Sequence, residues 1–207
     1  MNVKLKICGM RDPANIAEVI ALHPDYMGFI FYDKSPRYVG ESLELPVIPQ
    51  SIKKVGVFVN ERTETVTRTA RDYKLDFVQL HGTETPEQCE TLKDEGIEVI
   101  KAFSVDENFD FNTINSFKEH VQYFLFDTKG NYFGGNAKTF DWSLLQKYDQ
   151  SVPFFLSGGI SPENVSTLKE LGNLNIHAVD VNSGVETAPG VKDVNKIKKL
   201  KRVIDSL

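Results

Sequence analysis

The sequence predicts an α/β protein folded as a (β/α)8 barrel, and three observations carry that prediction. Apolar runs typical of parallel strands recur along the whole chain, and we recognise eight of them. Helical patterns with clear starts lie between most of these runs. Glycine-rich turns follow the seventh and eighth runs, which is typical of a barrel with a phosphate site. An open doubly wound sheet, the alternative fold, has fewer strands and a glycine-rich first turn.

The composition is that of an ordinary globular protein. With 207 residues, of which 41% are hydrophobic and 26% charged, the chain can bury one sizeable core. The length also allows two small domains, but the sequence contains no recognisable boundary or linker, so we expect residues 1–207 to form a single barrel domain. The net charge of −5 argues against nucleic acid as a partner. Two cysteines are too few for a disulfide framework, and no apolar segment resembles a signal core or a membrane span, so we expect a cytoplasmic protein.

The predicted strands are rich in β-branched and aromatic residues, as parallel strands covered on both faces usually are. In chain order they are Val3–Ile7, Tyr26–Phe31, Lys54–Val59, Phe77–Leu80, Val99–Phe103, Tyr123–Phe126, Phe154–Leu156 and Ala178–Val181. The first of them runs directly into Cys8 and Gly9, so a cysteine is expected at the carboxyl end of the first strand.

The predicted helices are recognised by their starts and their apolar stripes. They are Pro13–Ala21, Thr63–Tyr73, Pro86–Glu95, Pro162–Leu171 and Asp193–Ile204. Asp12 is expected to cap the first of them, with Pro13 at the first helical position. Thr85 and Gln88 match a capping box at the third. Gly172 is expected to end the fourth.

Two connections do not match a regular helix. The segment from Gly40 to Ile52 contains Pro46 and Pro49, and each proline would cost about 3 kcal/mol inside a helix. The second helix of the barrel is therefore expected to be short, irregular or absent. The segment from Ser104 to Asn112 also has the composition of a loop.

Polar residues at the predicted strand ends are the candidates for function, because the loops that follow the strands of such a barrel meet at one face. These candidates are Cys8, Arg37, Asn60, Gln79, His81, Asp127, Gly158, Gly159, Asp180, Asn182, Ser183 and Gly184.

Cys8 and Asp127 are the candidates for proton transfer. A lone cysteine is most often a small buried hydrophobe. In a positive environment, however, a thiol can act as a base. A nucleophilic role is the alternative, for which His81 would be the partner. Asp127 ends an apolar strand, so it is either a general acid or a carboxylate that caps a loop.

Arg37 follows Ser35 and Pro36 in the loop after the second strand. The proline favours an extended backbone at the residue before it. A guanidinium fixed at the barrel mouth is suited to bidentate binding of a carboxylate, whereas the alternative is a solvated surface arginine.

The two glycine-containing turns near the end of the chain predict a phosphate site. Gly158 and Gly159 would allow backbone N–H groups to approach an anion, and the helix predicted after them would add its positive end. An ordinary tight turn is the alternative. Asn182, Ser183 and Gly184 follow the neighbouring strand of the barrel, so both turns would contribute to one site. The chain has no HExxH motif, no paired CxxC motifs and no cluster of His and carboxylates, so no metal site is predicted.

Taken together, motifs at successive strand ends resemble phosphoribosylanthranilate isomerases, and this resemblance spans essentially the whole chain. The motifs are Lys6-Ile7-Cys8-Gly9, Gly28-Phe29-Ile30-Phe31 with Ser35-Pro36-Arg37, Gly56-Val57-Phe58-Val59-Asn60, Val78-Gln79-Leu80-His81-Gly82, Phe126-Asp127-Thr128, Gly134-Gly135, Phe140-Asp141-Trp142, Ser157-Gly158-Gly159-Ile160 and Val179-Asp180-Val181-Asn182-Ser183-Gly184-Val185-Glu186. No single motif is specific, but their order and spacing are.

The resemblance implies a (β/α)8 barrel of tryptophan biosynthesis. Its reaction converts N-(5′-phosphoribosyl)anthranilate to 1-(2-carboxyphenylamino)-1-deoxyribulose 5-phosphate by an Amadori rearrangement without metal or cofactor. It implies Cys8 as general base, Asp127 as general acid and Arg37 as the ligand of the substrate carboxylate. The loops after strands seven and eight would hold the phosphate, through Gly158, Gly159, Asp180, Asn182, Ser183 and Gly184. Gln79 and His81 are further expected substrate contacts, and the partner is a small molecule bound by a monomer or homodimer.

Departures from the family pattern leave the proposed acid and base untouched. Asn136 and Ala137 stand where the family usually has threonine and glycine, which bears on closure of the loop after strand six. Asn182 stands where serine is common, although its amide can still donate. The rival functions are another phosphosugar barrel enzyme and a barrel that only binds a phosphorylated ligand. The first would be expected to have metal-binding histidines or catalytic lysines and glutamates at several strand ends.

Overall fold

Eight parallel strands close a barrel in chain order in the computed structural model, which describes residues 3–41, 43–128 and 141–206. The strands are β1 (Lys4–Ile7), β2 (Tyr26–Ile30), β3 (Lys53–Phe58), β4 (Phe77–Leu80), β5 (Glu98–Val105), β6 (Tyr123–Thr128), β7 (Phe154–Leu156) and β8 (Ile176–Val181). β8 pairs with β1, with Lys6 opposite Asp180, which completes the ring. The predicted fold class is confirmed, and each strand lies within three residues of its predicted bounds.

Helices and helical turns cover the outside of the barrel. The α-helices are α1 (Pro13–Ile20), α2 (Thr63–Asp72), α3 (Pro86–Asp94) and α4 (Val194–Ile204), and 3₁₀ helices span Phe111–Phe117, Trp142–Lys147, Val165–Leu171 and Ser183–Val185. After β8 a two-stranded antiparallel hairpin follows, formed by β9 (Glu186–Ala188) and β10 (Val191–Lys192). Neither this hairpin nor the first two 3₁₀ helices were predicted. Within the described part of the chain, no helix is long and apolar enough to cross a membrane.

Two predicted helix starts have the expected caps, with one difference. The Asp12 side chain accepts a hydrogen bond from the Asn15 backbone N–H at 2.8 Å, and Thr85 accepts one from the Gln88 N–H at 3.4 Å. The Gln88 side chain donates instead to the Glu61 carbonyl at 2.8 Å. The reciprocal half of the predicted capping box is therefore wrong, because Gln88 ties α3 to the preceding βα loop.

Three connections refine the prediction. No helix forms between β2 and β3 within residues 31–41 and 43–52, in agreement with the two prolines there. The helix predicted from Pro162 begins only at Val165 and is 3₁₀, and Gly172 ends it with a φ of −60°, outside the left-handed region. The segment predicted as a loop from Ser104 is partly ordered, since β5 continues to Val105 and a 3₁₀ helix begins at Phe111.

The interior of the barrel changes from apolar to polar toward the carboxyl ends of the strands. One apolar cluster fills it, formed by Tyr26, Val55, Ile100, Ala102, Leu125, Phe155 and Ala178. Beyond this cluster, β1, β4 and β8 place Lys6, Gln79 and Asp180 in contact across the interior. Since alternate residues of a barrel strand face inward, Cys8 follows Lys6 on the same side of β1. The polar layer therefore lies directly beneath the candidate site.

Candidate active site

A cavity at the carboxyl ends of the strands brings most of the predicted residues together. It is lined by Cys8, Ile30, Tyr32, Ser35, Arg37, Val57, Val59, Gln79, His81, Asp127, Ser157, Asp180 and Asn182. Gly158, Gly159, Ser183 and Gly184 are outside this lining but directly follow Ser157 and Asn182. Asn60 is also outside it, and its side chain accepts a hydrogen bond from the Thr83 backbone N–H at 2.7 Å. Asn60 therefore orders a loop.

Cys8 is buried at the end of β1, and its backbone N–H donates to the Val181 carbonyl at 2.9 Å. Gly28 of β2 makes room for the thiol, because a Cβ atom there would lie 2.7 Å from Sγ. Burial raises the pKa of the Cys8 thiol above its ordinary value, whereas Lys6 and Lys192 act in the opposite direction. The net direction of the pKa change is upward, so burial favours the neutral thiol, and Lys6 and Lys192 reduce the cost of its deprotonation.

Lys6 is a residue that the sequence reasoning did not select. It is fully buried, and its ammonium donates to Gln79 Oε1 at 2.8 Å and to Asp180 Oδ2 at 3.0 Å. Burial works against the charged form, but Asp180 and Cys8 hold the pKa of Lys6 above its ordinary value. A signal was available in the sequence, because Lys6 precedes Cys8 by two residues on a strand and so shares its face.

A chain of polar contacts leads from Lys6 to Asp127. Because an ammonium has only donors, Gln79 must face it with the amide oxygen and face His81 with the amide nitrogen. Gln79 Nε2 lies 2.7 Å from His81 Nδ1, so in a neutral His81 the hydrogen is on Nε2. That atom lies 3.3 Å from Asp127 Oδ2. Asp127 is buried, and its other oxygen accepts a hydrogen bond from the Thr128 N–H at 2.8 Å.

Arg37 is buried and fixed, so the alternative of a solvated surface arginine is excluded. Its backbone N–H donates to Ser35 Oγ at 3.1 Å, which shapes the loop after β2. Its guanidinium makes an ion pair with Glu186 at 2.7 Å. Burial opposes the charged form of Glu186, but hydrogen bonds from Arg37 and Lys192 hold the pKa of that carboxyl below its usual value.

The loops after β7 and β8 contact each other, as the two-turn phosphate prediction requires. Gly158 and Gly159 have φ of +94° and +68°, which favours glycine at both positions. Asn164 donates to the Gly159 carbonyl at 2.9 Å and so fixes this turn. A Cβ on Gly184 would lie 2.1 Å from the Ile160 carbonyl oxygen, so only glycine allows this approach.

The predicted start of the helix beside the phosphate turns is wrong. Since the helix after β7 begins only at Val165, its amino end is not adjacent to Gly159. Lys192, another residue that the sequence analysis did not select, contributes a cation beside the turn after β8. Lys192 is buried and donates to Asn182 Oδ1 at 2.7 Å and to Glu186 Oε1 at 2.6 Å. Burial lowers the pKa of Lys192 to about 8.

Two further predictions concern the departure in the loop after strand six and the absence of a metal site. The departure at Asn136 and Ala137 lies outside the described residues. Among residues 3–41, 43–128 and 141–206, no group of three or more His, Cys, Asp or Glu side chains could hold a metal ion.

The fold and this cavity define the class of the protein, a (β/α)8 barrel with its candidate active site at the carboxyl ends of the strands. The comparisons with known proteins specify it further. The family described as N-(5′-phosphoribosyl)anthranilate (PRA) isomerase matches residues 5–202. The chain belongs to this family.

Individual relatives agree with this assignment. The N-(5′-phosphoribosyl)anthranilate isomerase of Parabacteroides distasonis is 46% identical over 198 residues, covering 94% of this chain and 90% of that one. The crystal structure of the phosphoribosyl anthranilate isomerase from Thermotoga maritima is 37% identical, with a TM-score of 0.84, and covers 99% of this chain and 100% of that one. A phosphoribosyl anthranilate isomerase in complex with reduced 1-(o-carboxyphenylamino)-1-deoxyribulose 5-phosphate is 35% identical, with a TM-score of 0.82 and coverage of 99% and 100%.

Proposed function

We propose that this chain converts N-(5′-phosphoribosyl)anthranilate to 1-(2-carboxyphenylamino)-1-deoxyribulose 5-phosphate in tryptophan biosynthesis, with Asp127 as general acid and Cys8 as general base. The observation that carries the proposal is the single cavity lined by Cys8, Arg37 and Asp127. In the proposed reaction Asp127 would donate a proton, Cys8 would accept one and Arg37 would bind the substrate carboxylate. Family membership supplies the reaction in which these three groups are needed together.

The reaction needs the two groups in opposite protonation states at the start. Protonated Asp127 donates to the furanose ring oxygen while the bond between that oxygen and C1′ breaks, which leaves a protonated Schiff base. The Cys8 thiolate then removes the proton from C2′, and the electron pair of that C–H bond neutralises the iminium. The resulting enolamine becomes the ketone by moving its hydroxyl proton to C1′. Proton exchange with water restores Asp127 and Cys8.

The charges of Lys6 and Lys192 act to lower the pKa of Cys8 and so favour its thiolate form. Asp180 of β8 accepts a hydrogen bond from Lys6 and so fixes the position of that cation. A carboxylate has no hydrogen to donate to a phosphate. The phosphate role predicted for Asp180 therefore stays a prediction, and its contact with Lys6 favours a role in positioning that cation. Within the described residues its second oxygen, Oδ1, is buried without a hydrogen-bond partner, which leaves it free to accept a substrate hydroxyl.

Two anionic ends of the substrate would fix the sugar between acid and base. Arg37 would bind the anthranilate carboxylate through a charge-assisted hydrogen bond. The backbone N–H groups of Gly158, Gly159, Ser183 and Gly184, with the Asn182 amide, would bind the phosphate. Gln79 and His81 line the same cavity and would contact the sugar hydroxyls. Such positioning lowers the barrier without any further chemistry from the protein.

The remaining expectations are proposals of the same kind. We infer a single barrel domain in the cytoplasm that acts on a small molecule and does not bind nucleic acid. Its acidic balance, a net charge of −5, favours the last point. A monomer and a homodimer are both compatible with the sequence, and light scattering on the purified protein distinguishes them.

A coupled fluorescence assay tests the function. The preceding transferase makes the substrate in situ from anthranilate and phosphoribosyl pyrophosphate, and excess of the next synthase removes the product. We expect turnover by the wild type without added metal and almost none by Cys8→Ser and Asp127→Asn. Both variants should still bind the reduced product analogue. No turnover by folded wild-type protein would refute the proposal and favour a barrel that only binds a phosphorylated ligand.

A further inference from the structure

The hairpin after β8 reaches back to the proposed carboxylate site through Glu186. Arg37 Nε lies 2.9 Å from Glu186 Oε1 and 3.1 Å from Oε2, and Arg37 Nη2 lies 2.7 Å from Oε2. Glu186 therefore engages one edge of the planar guanidinium with both of its oxygens. The third nitrogen, Nη1, makes no hydrogen bond to any residue that the structure describes, and Arg37 lines the cavity.

Other residues of the same hairpin fix the Glu186 side chain. Its Oε1 accepts hydrogen bonds from Lys192 Nζ at 2.6 Å and from the Gly190 N–H at 3.0 Å. Its side chain is only 6% exposed. Lys192 is anchored in turn by Asn15 of α1, whose side chain accepts from its backbone N–H at 2.7 Å. The Glu186 carboxylate is therefore held by Lys192, which is itself hydrogen-bonded to α1.

The charges of this cluster leave an attraction for one more anion. Arg37 and Lys192 are cations and Glu186 is an anion, so the three side chains together carry a single net positive charge. A substrate carboxylate that binds Nη1 neutralises this charge. Without Lys192, Glu186 would cancel the charge of Arg37, and the site would lose its electrostatic preference for an anion.

We propose that Glu186 is a positioning residue that fixes Arg37 with its Nη1 edge toward the cavity, so that Arg37 recognises the aromatic carboxylate of the substrate. This inference rests on the function proposed above and assigns to Glu186 the carboxylate specificity of that site. The competing interpretation is that Glu186 occupies the carboxylate position and is displaced by the substrate. Displacement would break the two-point contact with Arg37 and would have to move Glu186 against its contacts with Lys192 and Gly190.

The two interpretations predict opposite effects of Glu186→Gln. If Glu186 positions Arg37, the variant loses the two-point contact that orients the guanidinium. We expect this loss to outweigh the attraction from the added positive charge, so that KM rises by about tenfold while kcat changes less. If Glu186 competes with the substrate, its neutralisation lowers KM. Glu90→Gln, on the exposed face of α3, is the matched control for loss of one glutamate charge.

Ligand binding separates carboxylate recognition from a general structural defect. Affinity for the reduced product analogue is measured by calorimetry beside that of the same compound made without its carboxyl group. Glu186→Gln should weaken the first by about tenfold and leave the second unchanged. Equal weakening of both would overturn the proposal. In an Arg37→Met background, Glu186→Gln should not raise KM further, because the contact through which Glu186 positions Arg37 is already gone.

Failure of this inference is distinguishable from failure of the proposed function. Absence of turnover by the wild type refutes the function. A wild type that turns over, with an unchanged or lowered KM for Glu186→Gln, refutes the role of Glu186 alone. If Glu186→Gln does not fold by circular dichroism, Glu186→Asp replaces it, because the shorter side chain keeps the charge but loses the two-point contact with Arg37. The same rise in KM is then expected, and an unchanged KM refutes the role.

Discussion

Replacing Lys6 with methionine tests whether a buried cation supports the thiolate form of Cys8. The change keeps the side-chain volume roughly constant but removes the charge that contacts Gln79 and Asp180. A cation about 4 Å from a thiolate stabilises it by about 4 kcal/mol at an effective dielectric constant of about 20. Asp180 opposes part of this effect. We therefore expect kcat at neutral pH to fall by about a hundredfold.

The pH dependence of kcat distinguishes this effect from a structural defect. Cys8 must be deprotonated to act as base, and loss of a neighbouring cation raises the pKa of a thiol. The acid limb of the kcat profile should therefore move to higher pH in Lys6→Met, and activity should recover partly in alkaline buffer. An acid limb at the wild-type position, with a uniformly lower kcat, would refute the reasoning.

Stability needs its own control in this experiment. Breaking a buried ion pair by removing one partner costs about 3–5 kcal/mol, because Asp180 is left without its counterion. The double variant Lys6→Met with Asp180→Asn removes the orphaned charge and should recover much of the free energy of unfolding. Lys4→Met is the matched control, since Lys4 is on the same strand but 41% exposed at the opposite end of the barrel.

Three further predictions follow from individual contacts. Gly28→Ala should lower kcat strongly in the coupled assay with little change in KM for the substrate, because the added Cβ would lie 2.7 Å from the Cys8 sulfur and displace it. A wild-type kcat would contradict this close contact between Gly28 and Cys8. Lys101 forms a buried ion pair with Glu84 at 2.9 Å. Lys101→Met should therefore reduce the free energy of unfolding, measured in urea, by about 3–5 kcal/mol. A loss below about 1 kcal/mol would contradict this, because that is the range of a surface ion pair. Wild-type KM should rise as pH increases through about 8, the pKa of Lys192, because loss of that proton removes the net positive charge beside Arg37; a KM that is constant to pH 9.5 would contradict this.

The sequence was informative where local pattern decides the structure. Strand ends were predictable because apolar runs of parallel strands stop where the chain leaves the barrel, and polar residues follow. The sequence therefore predicts Cys8, Arg37 and Asp127 at one face of the barrel, and all three line one cavity.

The parts that were missed depend on contacts between distant residues. Glu186 and Arg37 are 149 positions apart, so no local pattern indicates that they pair. Lys6 was overlooked because a lysine in a short strand is usually solvated, and only the closed barrel places Asp180 opposite it. The amino end of the helix after β7 was predicted too early, because Ser161 and Pro162 resemble a helix start, while Asn164 bonds to the Gly159 turn instead.

The most direct test of the account is to trap the ring-opened Schiff base in the two proposed catalytic variants. Acid catalysis by Asp127 precedes base catalysis by Cys8, so Cys8→Ala should open the ring without completing the reaction. Cyanoborohydride would then reduce the iminium to a compound two hydrogens heavier than the substrate, detected by mass spectrometry. We predict this compound with Cys8→Ala and only the uncatalysed background with Asp127→Asn. The reverse pattern, or background levels with both variants, would contradict the assignment of acid and base.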